Sequence, residues 1–114
     1  MAELWNEANG LLVARDLQIA RTPWARTIGW LGRGHVAEDQ ALLLRQCHAI
    51  HTMFMRFCID VVFLDDAYCI LGIHSEIRPM RLALSDANAT HTLELAPGHA
   101  AQTHCRLGDH LHIA

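Results

Sequence analysis

Lysine is absent from this 114-residue chain, and all nine of its basic residues are arginine. Every fixed positive charge is therefore a guanidinium. Positive charge is also short in total: twelve Asp and Glu stand against those nine arginines, for a formal net charge of −3. That excludes a non-specific nucleic-acid binder, which needs many cationic contacts to phosphates. No apolar run approaches the ~18 residues of a bilayer-crossing helix, so no membrane segment is expected. The opening "MAELWNEANG" has two glutamates and no basic stretch, and no secretory signal is read there. Cys47, Cys58, Cys69 and Cys105 include no CxxC pair. With no leader in view, the expectation is a cytoplasmic protein whose thiols stay reduced. GxGxxG, P-loop, HExxH and GxSxG patterns are missing as well, which removes the familiar nucleotide and hydrolase signatures.

What is present is the composition of a globular core, 52% hydrophobic and 18% charged. A chain of this length buries roughly two-thirds of its unfolded surface, enough for one core without staples. No repeat, low-complexity tract or linker interrupts it, so residues 1–114 read as a single domain. "GLLVARDLQIA" predicts a strand or hairpin with Leu11, Val13, Leu17 and Ile19 inward. In "RTPWARTIGWLGR", Thr22 suits an N-cap and Pro23 the first helical position. Trp24, Ile28 and Leu31 then make one apolar stripe. Arg26, Trp30 and Arg33 make a second stripe on roughly the opposite side, and Gly32 and Gly34 end the helix.

Beyond Gly34 the pattern is β. "ALLLRQC", "IHTMFMRF" and "IDVVFLD" follow one another, the last with the β-branched content of a buried strand. "DDAY" reads as a turn and "CILGIHSEI" as the returning hairpin strand. Pro79 stops it, "LSDANA" is a loop, and "THTLELA" is another strand. "PGHAAQTHCR" holds one or two helical turns, and "LGDHLHI" a Gly-Asp turn and a last strand with Leu111 and Ile113 inward. The fold class is mainly β (α+β): a compact β-barrel or sandwich of about six or seven strands with one or two short helices.

Several of these stretches resemble a known family, the bacterial and archaeal domain of unknown function 192, over about Ala20 to Ile113. Its "GLLGR"-like element is met by Arg26, Gly29, Leu31, Gly32 and Arg33. A longer "PCxxIHTFGMRFPIDVVFLD"-like stretch is met at Cys47, Ile50 to Thr52, Met55 to Phe57 and Ile59 to Asp65. "IRPMR" supplies Pro79 and Arg81, and the ending supplies Leu93 to Leu95, Gly98, Gly108 and Asp109. The resemblance implies a small, mostly β, barrel-like domain and no reaction. The chain departs from the pattern at Gln46 and Cys58, where proline is common, at Met53 and Phe54, and at Tyr68, where the hairpin turn usually has glycine. A tyrosine disfavours positive φ, so that turn is expected to differ locally.

The chemistry-bearing residues allow three readings. Arg26, Trp30 and Arg33, with Arg56 and Arg81, suit a carboxylate or phosphate, and predict a binding or accessory module for an anionic small molecule or protein partner. His51 with Asp60, helped by Cys47, suggests a small hydrolytic enzyme. Cys47 and His51 four apart suggest a soft-metal module, but no second ligand pair has recognisable spacing. No metal site is assigned, and no cofactor is expected. Asp60 sits amid Ile59, Val61, Val62 and Phe63, so it must meet a donor or keep its proton. Its structural reading is an ion-paired or backbone-bonded carboxylate. Arg26, Arg33, Arg56 and Arg81 have a structural reading too, holding the helix on the sheet through Asp60, Glu94 or Asp109. Cys47 reads otherwise as a small core residue, and His99, His104, His110 and His112 as a solvated end.

Overall fold

The computed structural model describes residues 2–20, 30, 35–52, 55–80 and 84–114. Nine strands and one helical turn are found among them: β1 Ala2–Asn6, β2 Leu12–Ala20, β3 Gln40–Leu44, β4 Ala49–Ile50, β5 Ile59–Leu64, β6 Ile70–Ile77, β7 Leu84–Ser85, β8 His91–Leu95, α1 His99–Gln102 and β9 Leu111–Ile113. The helix read from Thr22 to Leu31 lies outside the described residues except for Trp30. So do Arg26, Arg33, Arg81, Met53 and Phe54.

Seven strands form one sheet in the order β6-β5-β8-β3-β2-β1-β9, and β4 pairs with β7 in a small second sheet. Only β2 and β3 run parallel; the other pairs are antiparallel. The large sheet curls into a half-barrel, and its two edge strands meet at one end. There Cys69 bridges His110, Ile70 N–H donates to Asp109 O, and Leu111 N–H donates to Tyr68 O. Closure of this kind removes part of the open edge that would invite pairing with another chain.

Strand alternation divides the core in two. The inner core takes a residue from all seven strands, among them Leu4, Val13, Ala41, Leu93, Val62, Ile70 and Leu111, with Ala100 of α1 closing one side. The outer core lies on the opposite face and joins Ala20, Leu42, Leu44, Ile59, Val61 and Phe63 of the sheet to Trp30 and Met55. With both faces covered, β5 and β8 are buried along their whole length, as a central strand must be.

Four local expectations need correction. Leu11 is exposed, because the strand begins one residue later and its hairpin partner is β1, which the N-terminal composition did not suggest. "IHTMFMRF" does not run as one strand through its described residues. Among those, pairing is confined to Ala49–Ile50, and Met55 N–H turns back to Thr52 O. "LSDANA" contributes the short strand β7 before its turn. Tyr68 keeps the positive φ of +63° that a glycine would have.

Candidate functional site

Asp60 is fully buried on the inner side of β5. Its carboxylate accepts three backbone N–H groups: Glu76 at 2.8 Å and Gly98 at 2.9 Å on Oδ1, and Ala100 at 2.9 Å on Oδ2. The Glu76 donor comes from a bulge. Register slips between Ile59/Ile77 and Val61/His74, and Glu76 takes φ +53°. A bulge re-aims backbone groups away from the ladder, and here it turns an amide toward the carboxylate. Gly98 and Ala100 bring the first amides of α1, whose own N-cap has no side-chain bond. A four-residue helix is too short to stand alone, so Asp60 serves as its cap from a neighbouring strand. This is the backbone-bonded arrangement among the two that the sequence allowed.

His51 is exposed and makes no hydrogen bond or ion pair among the described residues. Cys47 is half-buried against the outer core, and its thiol donates to Ala49 O at 3.1 Å. All four cysteines are free. Among the described residues no group of three or more His, Cys, Asp or Glu is placed to hold a metal ion. His104, His110 and His112 are exposed, and His112 lies 3.7 Å from Glu7.

The outer face holds the rest. Trp30 is buried, not surface-lying as the second stripe implied, and its ring meets Phe57 at 6.4 Å between centroids. Arg56 is exposed between two anchored neighbours, since Met55 is in the outer core and Phe57 packs on it. It has no hydrogen bond or ion pair among the described residues.

Glu94 was named from sequence only as a partner for an arginine. It stands on β8 opposite Leu42 on one side and Val61 on the other, both outer-core residues. Its Oε2 is buried and has no hydrogen-bond partner among the described residues, and the same is true of Trp30 Nε1. Burial pushes this carboxyl up to about 7, because an apolar layer disfavours the charged form. The contrast with other buried polar side chains is sharp. Asn6, Thr52, His91, Thr92 and Thr103 each have a bond to another group. The third orphan atom, His99 Nδ1, belongs to a ring whose other nitrogen meets Val13 O at 2.6 Å. A glutamate in an alternating strand is usually read as solvent-facing, and only the layer above the sheet makes it a buried acid.

Two solved structures share this fold. One is a Novosphingobium aromaticivorans DSM 12444 protein of unknown function, 18% identical, with a TM-score of 0.83 over 97% of this chain and 82% of that one. The other is a Sinorhizobium meliloti 1021 protein provisionally assigned as a transcription regulator, 20% identical, with a TM-score of 0.83 over 98% and 93%. No curated protein matches the chain. None of the described helices is long and apolar enough to cross a membrane. The profile of one family, described as uncharacterised ACR, matches residues 4–113 and so takes in the β1–β2 hairpin as well as the motif-bearing stretches. The half-barrel, the motifs and that match agree, and the chain belongs to the domain of unknown function 192 family.

Proposed function

We propose that this chain is a small binding or accessory module that holds a carboxylate or phosphate group at Arg56, with Arg26, Arg33, Arg81 and Trp30 as the further candidates that the sequence offers. The carrying observation is the mounting of Arg56. Its guanidinium is exposed and unengaged among the described residues, while Met55 and Phe57 fix the backbone on either side. Anchored neighbours spare the backbone an ordering cost on binding, which leaves only the arginine side chain's own rotamers to be fixed. The hydrolytic reading has less support. The Asp60 carboxylate is fully buried and taken up by three amides, whereas the His51 ring is exposed and bonds to nothing described. The regulator assignment of the Sinorhizobium protein is not carried over, since 20% identity speaks for the fold and a net charge of −3 opposes general phosphate-backbone binding.

Isothermal titration of the whole chain with inorganic phosphate, with succinate and with an oligoglutamate peptide tests this reading. Binding of either small anion, weakened about tenfold by R56A and further by R26A or R81A, supports a small-ligand site. Binding of the peptide alone, with the same variant dependence, supports an acidic protein partner. If no probe binds, or R56A binds as well as the unaltered chain, the reading fails.

A further inference from the structure

The turn between β1 and β2 and the loop between α1 and β9 border an open cleft of about 260 Å3, lined by Ala8, Asn9, His104, Arg106 and Asp109. Two asparagines tie its walls together. Asn6 is fully buried; its Oδ1 accepts the Ala8 N–H on one wall, and its Nδ2 donates to Asp109 Oδ2 on the other. Asn9 Nδ2 reaches across to Thr103 O at 3.2 Å and His104 O at 3.3 Å. His104 is held at φ +55°, a conformation that non-glycine residues keep only where the surroundings fix it. Asp109 Oδ2 also accepts the Arg106 backbone N–H at 3.0 Å. The groups left over are Asp109 Oδ1, the Arg106 guanidinium and the His104 ring, which make no hydrogen bond or ion pair among the described residues. An acid and a base thus line one cleft without meeting, on backbone that is tied in place.

We infer that this cleft binds a small zwitterion of the α-amino-acid class, its carboxylate on Arg106 and its ammonium on Asp109 Oδ1. The class follows from the two signs of charge. A simple anion paired with Arg106 would be brought beside the Asp109 carboxylate, and a simple cation on Asp109 beside the guanidinium. A neutral guest would displace water from both charges and return less to each. A guest that carries both signs answers both groups. Asp109 Oδ2 touches the Arg106 backbone, so the two charges rise from one stretch of chain, and those of the guest must be near neighbours as well. The volume falls just under the roughly 300–1,000 Å3 of ordinary ligand pockets, which keeps the guest small. The site shares no residue with the Arg56 reading and stands without it.

The test uses L-alanine as the probe, with acetate and ethylammonium as controls that each carry one of its charges. Binding is followed at the Arg106 and Asp109 backbone N–H resonances in 1H–15N spectra of the whole chain. L-alanine should shift both saturably and bind about tenfold more tightly than either control. R106Q keeps the backbone amide that Asp109 holds, and should weaken L-alanine about tenfold without weakening ethylammonium. D109N keeps an oxygen for Asn6 and for the Arg106 N–H, and should weaken L-alanine and ethylammonium but not acetate. R56A should change none of these. Failure of L-alanine to shift either resonance overturns the proposal. So does acetate binding equal to that of L-alanine, or an R106Q chain that binds L-alanine as well as the unaltered one.

Discussion

Two buried carboxylates one strand apart behave in opposite ways because strand alternation sends them to opposite faces. Asp60 shares the inner face with its register partner Leu95, and Glu94 shares the outer face with Val61. Asp60 finds three amides, and Glu94 Oε2 finds no donor among the described residues. Replacing buried Asp60 by alanine takes the acceptor from three amides, of which that of Ala100 is buried, at about 1–3 kcal/mol for each one left unpaired, so D60A should cost roughly 3 kcal/mol in urea denaturation. D60N keeps the shape but can accept on one oxygen only, and should fall between. Glu94 carries a pH signature of definite sign. The folded chain keeps its proton up to about 7, whereas the unfolded chain releases it near 4.5. The folded state thus binds more protons in that window, and stability falls as pH rises through it, by about 3 kcal/mol in all. E94Q should flatten this trend and exceed the unaltered chain in stability above pH 7; an unchanged profile would mean that Glu94 is not the group responsible. His91 acts in the other direction. Burial, then Arg45, pushes its imidazole down, and its Nδ1 accepts the Gln46 N–H, so protonation below about pH 6.5 costs the fold stability.

At the scale of the element, turns hold conformations that their residue types disfavour when side chains compensate. Tyr68 takes φ +63°, which costs roughly 1 kcal/mol for a non-glycine residue. Asp65 Oδ1 accepts the Ala67 and Cys69 amides around it, and the Tyr68 ring stacks on His91 at 5.0 Å. The sequence pattern showed the missing glycine and gave no sign of that stack, because His91 lies on another strand. Gly98 is the reverse case, a glycine used for its φ of +79° at the start of α1. A Cβ there would come no closer than 3.8 Å to Glu76 Oε1, so G98A should cost about 1 kcal/mol from backbone conformation alone. A loss of stability as large as that expected for D60A would instead mean that the Asp60 bond had been lost.

For the whole molecule, curling of the sheet matters more than the identity of any strand. β6 and β9 are edges by strand order, yet backbone bonds join Ile70 to Asp109 and Leu111 to Tyr68 at one end. Hydrogen exchange should find the Ile70 and Leu111 amides protected nearly as well as those of β5 and β8. Exchange at the rate of a frayed edge would show the barrel to be open there. The mainly β class, the order of most strands, the Pro-Gly helical turn and the family were all legible, because each rests on period-two patterning or turn chemistry within a few residues. The N-terminal strand was not. "AELWN" has one well-buried leucine and becomes a strand by lying between β2 and β9. Nor was the shortness of β4, since apolar content alone does not separate a strand from a coil that covers a sheet.

For the candidate site, the sequence by itself determined that an acid embedded in "CIDVVFLD" had to meet donors, and it left Arg56 open between an anion contact and an internal ion pair. The first follows from the cost of a bare charge in an apolar interior, which holds whatever the topology. Only the tertiary structure decided that the donors for Asp60 would be backbone amides of a bulge and a helix start, because those segments are distant in the chain and meet through sheet curvature. It likewise decided that Glu94, outward in its own strand, would be sealed beneath a second layer. Burial is a property of what packs above a residue, and no local pattern encodes that.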